Sequence, residues 1–167
     1  MKKLNLTILA IAISIFASNA SAFDPEDLQK LKDTNKCVKC DLTEADLQGA
    51  ELEDASLYGA NLSQATLENA NLSNADLVEA NLRNANLNGA NLEQALLAIT
   101  RMALTQLEDA NLKKTILVGA DLWNANLENA DLSGANLENA DLSGANLKGA
   151  TLCNTIMPDG SVIYSGC

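Results

Sequence analysis

Four cysteines are the residues of this sequence with the most chemistry available to them. Cys37 and Cys40 form a Cys-x-x-Cys pair, and Cys153 and Cys167 stand near the other end of the chain. A redox-active pair of this kind needs a βαβ setting, which the residues around Cys37 do not resemble. Because Cys153 and Cys167 are close in sequence, we expect a disulfide between these two. Cys37 and Cys40 form either a tight local disulfide or two small buried thiols.

The charged residues offer little for catalysis. The chain has 22 Asp and Glu residues against 11 Lys and Arg residues, and it has no histidine. Histidine is the commonest general base and the commonest metal ligand. Glu68, Glu108 and Glu128 recur 20 or 40 residues apart, and such a row is either a weak divalent-cation site or, more usually, a solvated surface. We expect no catalytic residue, no metal site and no cofactor.

The first 22 residues are typical of a secretory signal peptide. Lys2 and Lys3 precede an apolar stretch at 4–17, and positions 20–22 read Ala-Ser-Ala, a pattern cut by signal peptidase. The apolar stretch is short for a membrane span, although an uncleaved anchor is the alternative. Cleavage leaves 9 basic and 22 acidic side chains, a net charge of −13. Because so acidic a surface repels nucleic acid and anionic membranes, we expect the mature protein to bind neither.

A five-residue repeat dominates the rest of the chain. Every fifth residue from Leu42 to Leu152 is Leu, except Met102, and the residue two places earlier is almost always Ala, with Thr at 100, 105 and 115. A period of five fits neither an α-helix nor a strand. The chain must therefore turn once per repeat, with one large and one small apolar side chain facing inward. The other three positions face outward and carry nearly all the charge.

The residues at the predicted corners agree with this geometry. Two residues after each Leu, 14 of 23 positions are Gly or Asn, including Gly49, Gly59 and Asn69. These two residue types tolerate positive φ most readily, as a type II turn requires. The sequence therefore predicts a regular corner in every repeat.

The run Ala-(Asn/Asp)-Leu-x-x, repeated from about Ala45 to Leu152, resembles the pentapeptide-repeat proteins. That resemblance implies an all-β solenoid, a right-handed quadrilateral parallel β-helix with four repeats in each square coil. Residues 37–157 then form about six coils. With its export signal and its Cys-x-x-Cys pair, the chain is similar to exported cyanobacterial members of this family. That similarity implies that the protein is located in the periplasm or the thylakoid lumen.

Both ends of a solenoid need covering, and the sequence predicts how each is covered. Residues 23–36 are expected to form a capping helix. Asp24 suits its N-cap, Pro25 its first position, and Phe23 and Leu28 a hydrophobic staple. Residues 158–167 are expected to form a C-terminal cap or tail after a turn.

One outward face is unusually apolar between residues 58 and 118. Sorting positions by 20 places most of these apolar residues on the same face, and a continuous apolar surface on an acidic rod is typical of a contact site. We predict that this face binds a partner protein or a second copy of the chain. The alternative is a local bulge near 96–106 that packs its apolar residues onto the rod. The predicted contact residues are Tyr58, Val78, Leu96, Ala98, Ile99, Ile116 and Val118.

These features favour a non-enzymatic structural or protein-interaction module. An alternative is an acidic, DNA-mimic-like inhibitor similar to the gyrase-protecting pentapeptide-repeat proteins. The export signal disfavours that interpretation, as does Leu in place of the Phe common in those relatives. The other alternative is a weak cation binder that uses the glutamate row.

Overall fold

The computed structural model describes residues 23–164, 166 and 167, so the predicted signal peptide lies outside the described residues. Its elements in chain order are helix α1 (Pro25–Thr34), strand β1 (Thr155–Ile156) and strand β2 (Val162–Ile163). Between α1 and β1 the chain makes single-residue parallel bridges rather than long strands. Each bridge joins residues 20 positions apart, from Lys36 with Ser56 to Asn136 with Ile156.

Backbone hydrogen bonds with the same spacing hold successive turns of the chain together. The Leu62 N–H donates to the Asn81 carbonyl at 2.7 Å, and the Asn81 N–H donates back to the Ala60 carbonyl at 2.9 Å. Four pentapeptides therefore complete one turn of 20 residues, which we call a coil. Because the bridges continue without interruption through residues 96–106, this segment does not bulge from the rod.

The leucine and alanine columns form the core. The leucines at every fifth position from Leu42 to Leu137 are buried, as are Met102 in the same series and most of the paired alanines. Burial of each leucine contributes roughly 1.5–3 kcal/mol. Towards the last coil, Leu142, Leu147 and Leu152 are only partly buried, because fewer coils cover them.

Threonine replaces alanine at four inward positions without leaving a buried polar atom unpaired. The Thr100 and Thr115 hydroxyls donate to the Leu97 and Leu112 carbonyls, each at 2.7 Å. The Thr105 hydroxyl reaches the preceding coil and donates to the Leu82 carbonyl at 2.8 Å. A buried hydroxyl that keeps a hydrogen bond costs little, so the repeat accepts threonine there.

Every corner from Lys39 to Asn154 is left-handed, with φ between 52° and 75°. Where Asn or Asp precedes a leucine of the repeat, its side chain stabilises the adjoining turn. For example, Asn91 Oδ1 accepts from the Glu93 N–H at 3.2 Å. The same side chains also form ladders between coils, since Asn111 Nδ2 donates to Asn91 Oδ1 at 2.9 Å. These bonds account for the preference for Asn and Asp at that position.

Helix α1 packs beside the first coil. The Asp24 side chain accepts from the Glu26 N–H, Pro25 occupies the first turn, and Asn35 ends the helix in the left-handed conformation. The helix buries Leu31. It is joined to the coil by the Asp41 N–H, which donates to Asp27 Oδ2 at 2.8 Å.

The C-terminal segment folds back on the last repeat. Strand β2 pairs antiparallel with β1, with Thr155 opposite Ile163. The Met157 N–H donates to the Ser161 carbonyl at 2.8 Å and closes the turn between them. Within the described residues, no helix is long and apolar enough to cross a membrane.

Candidate interaction surface

The 20-residue coil gives the rod four faces, each made of the outward residues of one pentapeptide per coil. Face 1 holds the pentapeptides that begin at 36, 56, 76, 96, 116 and 136, and face 2 follows it along the chain, beginning at 41, 61, 81, 101, 121 and 141. Faces 3 and 4 begin at 46 and 51 and repeat likewise. Each residue therefore stacks on the equivalent residue of the next coil.

The seven predicted contact residues all lie on face 1, where they form what we call the apolar stripe. Backbone bonds fix their order, since the Glu79 N–H donates to the Ala98 carbonyl and the Ile99 N–H to the Val118 carbonyl. Leu96 and Ile116 are paired by a parallel bridge. The exposed members are Leu96, Ile99 and Ile116, and the half-buried members are Tyr58, Val78, Ala98 and Val118.

Ile99 is the most unusual residue of the apolar stripe. Its side chain is 63% exposed, and its backbone is left-handed with φ of 58°. For a β-branched residue this conformation is an outlier that costs about 1–2 kcal/mol. The corner that faces it in the next coil is Gly119, which has no side chain to cover it.

The predicted contact residues run from Tyr58 to Val118, but the exposed apolar side chains continue one coil further towards the N-terminus. Val38, 20 positions before Tyr58, is also exposed, and the Lys39 N–H donates to the Tyr58 carbonyl at 2.8 Å. The same spacing finds Val38 once the repeat is carried back to residue 36.

Hydrogen bonding to the Glu79 carboxylate raises the pKa of the Tyr58 phenol, so this ring stays neutral.

The cysteines lie in two separate pairs. The sulfur atoms of Cys37 and Cys40 are at disulfide distance, with Cα atoms 5.2 Å apart, and so are those of Cys153 and Cys167, with Cα atoms 4.9 Å apart. Cys37 and Cys40 are buried beneath helix α1, and with Asp27 they form a close group of potential metal ligands. Sulfurs at that distance offer no free thiolate to a metal, and their burial keeps out a redox partner.

The glutamate row lies on face 3, but its members are engaged separately. Glu128 accepts from Lys148 Nζ at 2.6 Å and from Asn146 Nδ2 at 3.2 Å. Its hydrogen bond with Lys148 lowers the pKa of the Glu128 carboxyl. Asn88 stands between Glu68 and Glu108, and its side chain accepts from the Glu108 N–H at 3.0 Å. A row interrupted by an amide and neutralised by a lysine is a solvated surface.

Face 2 carries a second group of side chains, which sequence spacing does not single out. Trp123 and Leu104 are exposed there. An open depression beside them is lined by Arg83, Ala103, Trp123, Asp121 and Asp141, among others. Both arginines of the chain, Arg83 and Arg101, lie on this face. Only the coil register brings these residues together, because they are spread over 59 positions of sequence.

Comparison with known proteins identifies the repeat. The family model described as pentapeptide repeats matches eight copies, at residues 36–74, 75–98, 105–144 and 124–157. It leaves residues 99–104 unmatched, the segment with Ile99 and Leu104 at its corners. A search of curated proteins finds no match for this chain.

Solved structures of similar proteins come from a plant and from cyanobacteria. A pentapeptide repeat protein from the thylakoid lumen of Arabidopsis thaliana is 29% identical with a TM-score of 0.59, covering 60% of this chain and 70% of that one. A pentapeptide repeat protein of the cyanobacterium Cyanothece 51142 is 29% identical with a TM-score of 0.51, covering 79% and 97%. HetL of Nostoc sp. strain PCC 7120, described as involved in heterocyst differentiation regulation, is 32% identical with a TM-score of 0.47, covering 77% and 76%.

The matched residues span most of the chain, and the solved relatives share its coils. This chain therefore belongs to the pentapeptide-repeat family, whose structures have the right-handed quadrilateral β-helix.

Proposed function

We propose that this protein is an exported, non-enzymatic interaction module that binds a partner protein through the apolar stripe. The observation that carries the proposal is Ile99, an exposed β-branched residue in the left-handed conformation. The other corners of the rod are polar, charged or glycine, apart from Leu104. The left-handed backbone at Ile99 therefore lowers the stability of the fold, and partial burial of the side chain offsets only part of that loss.

The surroundings of Ile99 support a protein partner rather than a small ligand. Leu96 and Ile116 stack beside it, and in these two coils face 1 has no charged residue. The side chains of the stripe are exposed or half-buried on the outside of the rod, whereas small molecules are usually bound in enclosed pockets. A patch of exposed apolar side chains on a strongly acidic rod is the kind of surface that another protein covers.

We also propose how the protein is exported and how the two ends of the rod are covered. Residues 1–22 direct export, to the periplasm or the thylakoid lumen, and the similarity to a lumenal protein supports this. About six coils follow at 20 residues each, from 37 to 157, covered by α1 within 23–36 and by the segment 158–167. Disulfides Cys37–Cys40 and Cys153–Cys167 hold the two ends, as an oxidising compartment permits.

Capture of a partner from the exported fraction tests the role of the stripe. We expect Ile116→Lys to reduce the captured partner at least 10-fold, because a charge placed against an apolar surface costs several kcal/mol. The matched control is Gln106→Lys, which places the same charge at the equivalent pentapeptide position on face 3.

The control separates a contact at the stripe from a general effect of charge. If Gln106→Lys loses the partner as completely as Ile116→Lys, or if neither variant does, the stripe is not the binding site. Circular dichroism melts of both variants check that each remains folded.

A further inference from the structure

Face 2 has two columns of outward side chains whose charge and size change along the rod. Its first outward column runs through Asn81, Arg101, Asp121 and Asp141, which are joined in turn by parallel bridges. The neighbouring column runs through Arg83, Ala103, Trp123 and Ser143, as the Asn84 to Ala103 and Leu104 to Trp123 backbone bonds show. Both columns change character at the boundary between the coils 96–115 and 116–135.

The charges on face 2 have opposite signs on the two sides of that boundary. Arg83 and Arg101 lie on one side, and Asp121 and Asp141 lie on the other. Across the described residues, three ion pairs form, and neither arginine belongs to any of them. Asp141 stacks on Asp121 as a like charge in the adjacent coil. Asp121 also stacks on Arg101, but none of the described ion pairs joins these two residues.

The shapes on face 2 also differ across the boundary. Trp123 projects from one side and is 44% exposed, whereas Ala103, its counterpart on the other side, is small and only 1% exposed. The depression beside Trp123 crosses the boundary, because Arg83 and Ala103 line it on one side and Asp121, Trp123 and Asp141 line it on the other. The face therefore carries a large, exposed aromatic ring on one side of the boundary and a small, buried side chain at the equivalent place on the other.

We propose that two copies of this chain associate through face 2 as antiparallel rods. The twofold axis lies in the interface and crosses the rod at the boundary between coils 96–115 and 116–135. A twofold interface brings the same patch of both subunits together, so the patch has to complement itself. Each residue then faces the residue in its own column at an equal distance beyond the boundary. Arg101 meets Asp121 of the partner subunit, and Trp123 of the partner subunit lies over the small Ala103.

The remaining charges agree with this arrangement. Arg83 faces Ser143 of the partner subunit, within reach of Asp141 of the partner subunit in the neighbouring column. Hydrogen bonds from Ser143 lower the pKa of the Asp141 carboxyl, which keeps it ionised. The four charges of the patch sum to zero, so the contact itself avoids the repulsion between two acidic chains. The association uses a different face from the apolar stripe and does not require the stripe's partner.

Sedimentation equilibrium of the purified protein, with charge-exchange variants, tests this interface. We expect the unmodified protein to have about twice the mass of one chain. Arg101→Asp alone and Asp121→Arg alone are each expected to weaken association at least about 100-fold, because each creates two like-charge contacts across the twofold axis. The double variant with both changes is expected to recover the dimer, since it restores both opposite-charge contacts in exchanged positions.

Two control variants separate association through face 2 from a general effect of charge and from association through the apolar stripe. Glu53→Arg makes the same charge change as Asp121→Arg on face 4, on the opposite side of the rod, and is expected to stay dimeric. Ile116→Lys, which alters the apolar stripe, is also expected to stay dimeric. A monomeric unmodified protein, a folded double variant that stays monomeric, or a dimer lost with Glu53→Arg or Ile116→Lys would each overturn the proposal.

Discussion

Leu92→Asp is expected to unfold the protein at room temperature. Leu92 is fully buried in the middle of the rod, where a carboxylate loses its hydration and finds no cation. Truncating a buried leucine costs about 2–5 kcal/mol, and burying a charge without a partner adds several more. Because a whole domain is stable by only about 5–15 kcal/mol, one such change removes most of the free energy of unfolding.

Gln94→Asp is the matched control for this prediction. Gln94 lies two residues later at an exposed corner with φ of 60°, a conformation that Asp tolerates well. It receives the same charge and should melt within a few degrees of the unmodified protein. Thermal unfolding followed by circular dichroism compares the two variants. Similar melting of both would mean that Leu92 is not part of a packed interior.

Replacing Cys153 and Cys167 together by serine is expected to lower the free energy of unfolding by about 3 kcal/mol. The two residues are separated by 14 positions, and closing a loop of that length restricts the unfolded chain by about this amount. The bond also holds the segment after β2 against the repeat that contains Cys153. Without it, we expect the β1–β2 pairing to open first.

Denaturant unfolding under non-reducing conditions measures this effect, with the reduced and alkylated protein as the comparison. After reduction, which also opens the Cys37–Cys40 bridge in both proteins, the unmodified protein and the double variant should have similar stability. A double variant as stable as the oxidised protein would show that the C-terminal bridge does not form or does not constrain the chain.

The sequence predicted the interior of the rod well because its pattern leaves little choice. Leucine at every fifth position can be buried only if the chain turns once per repeat, and Leu62, Leu82 and Leu122 are fully buried as that requires. The corners were harder to predict from residue type. Lys39 and Glu44 have no preference for positive φ, yet both adopt it, because the backbone ladder between coils imposes the conformation.

Of the two candidate surfaces, only the apolar stripe could be predicted from the sequence. The difference depends on how residues 20 positions apart stack in successive coils. The apolar stripe could be found by spacing alone, since its members are apolar and 20 residues apart. The face 2 patch could not, because Arg83, Ala103 and Trp123 have no property in common. Their significance lies in opposite charges and unequal sizes on either side of one coil boundary, which becomes visible only in three dimensions.

The most direct test of the interaction role is to measure stability and binding together for Ile99→Asn. Asparagine suits the left-handed corner, so we expect the melting temperature to rise by about 2–6 °C as the backbone strain is relieved. In the same preparation, capture of the stripe's partner should fall at least 10-fold, because the most exposed apolar side chain of the stripe is lost. A variant that is no more stable, or one that binds its partner as well as the unmodified protein, would contradict the claim that Ile99 is retained for binding.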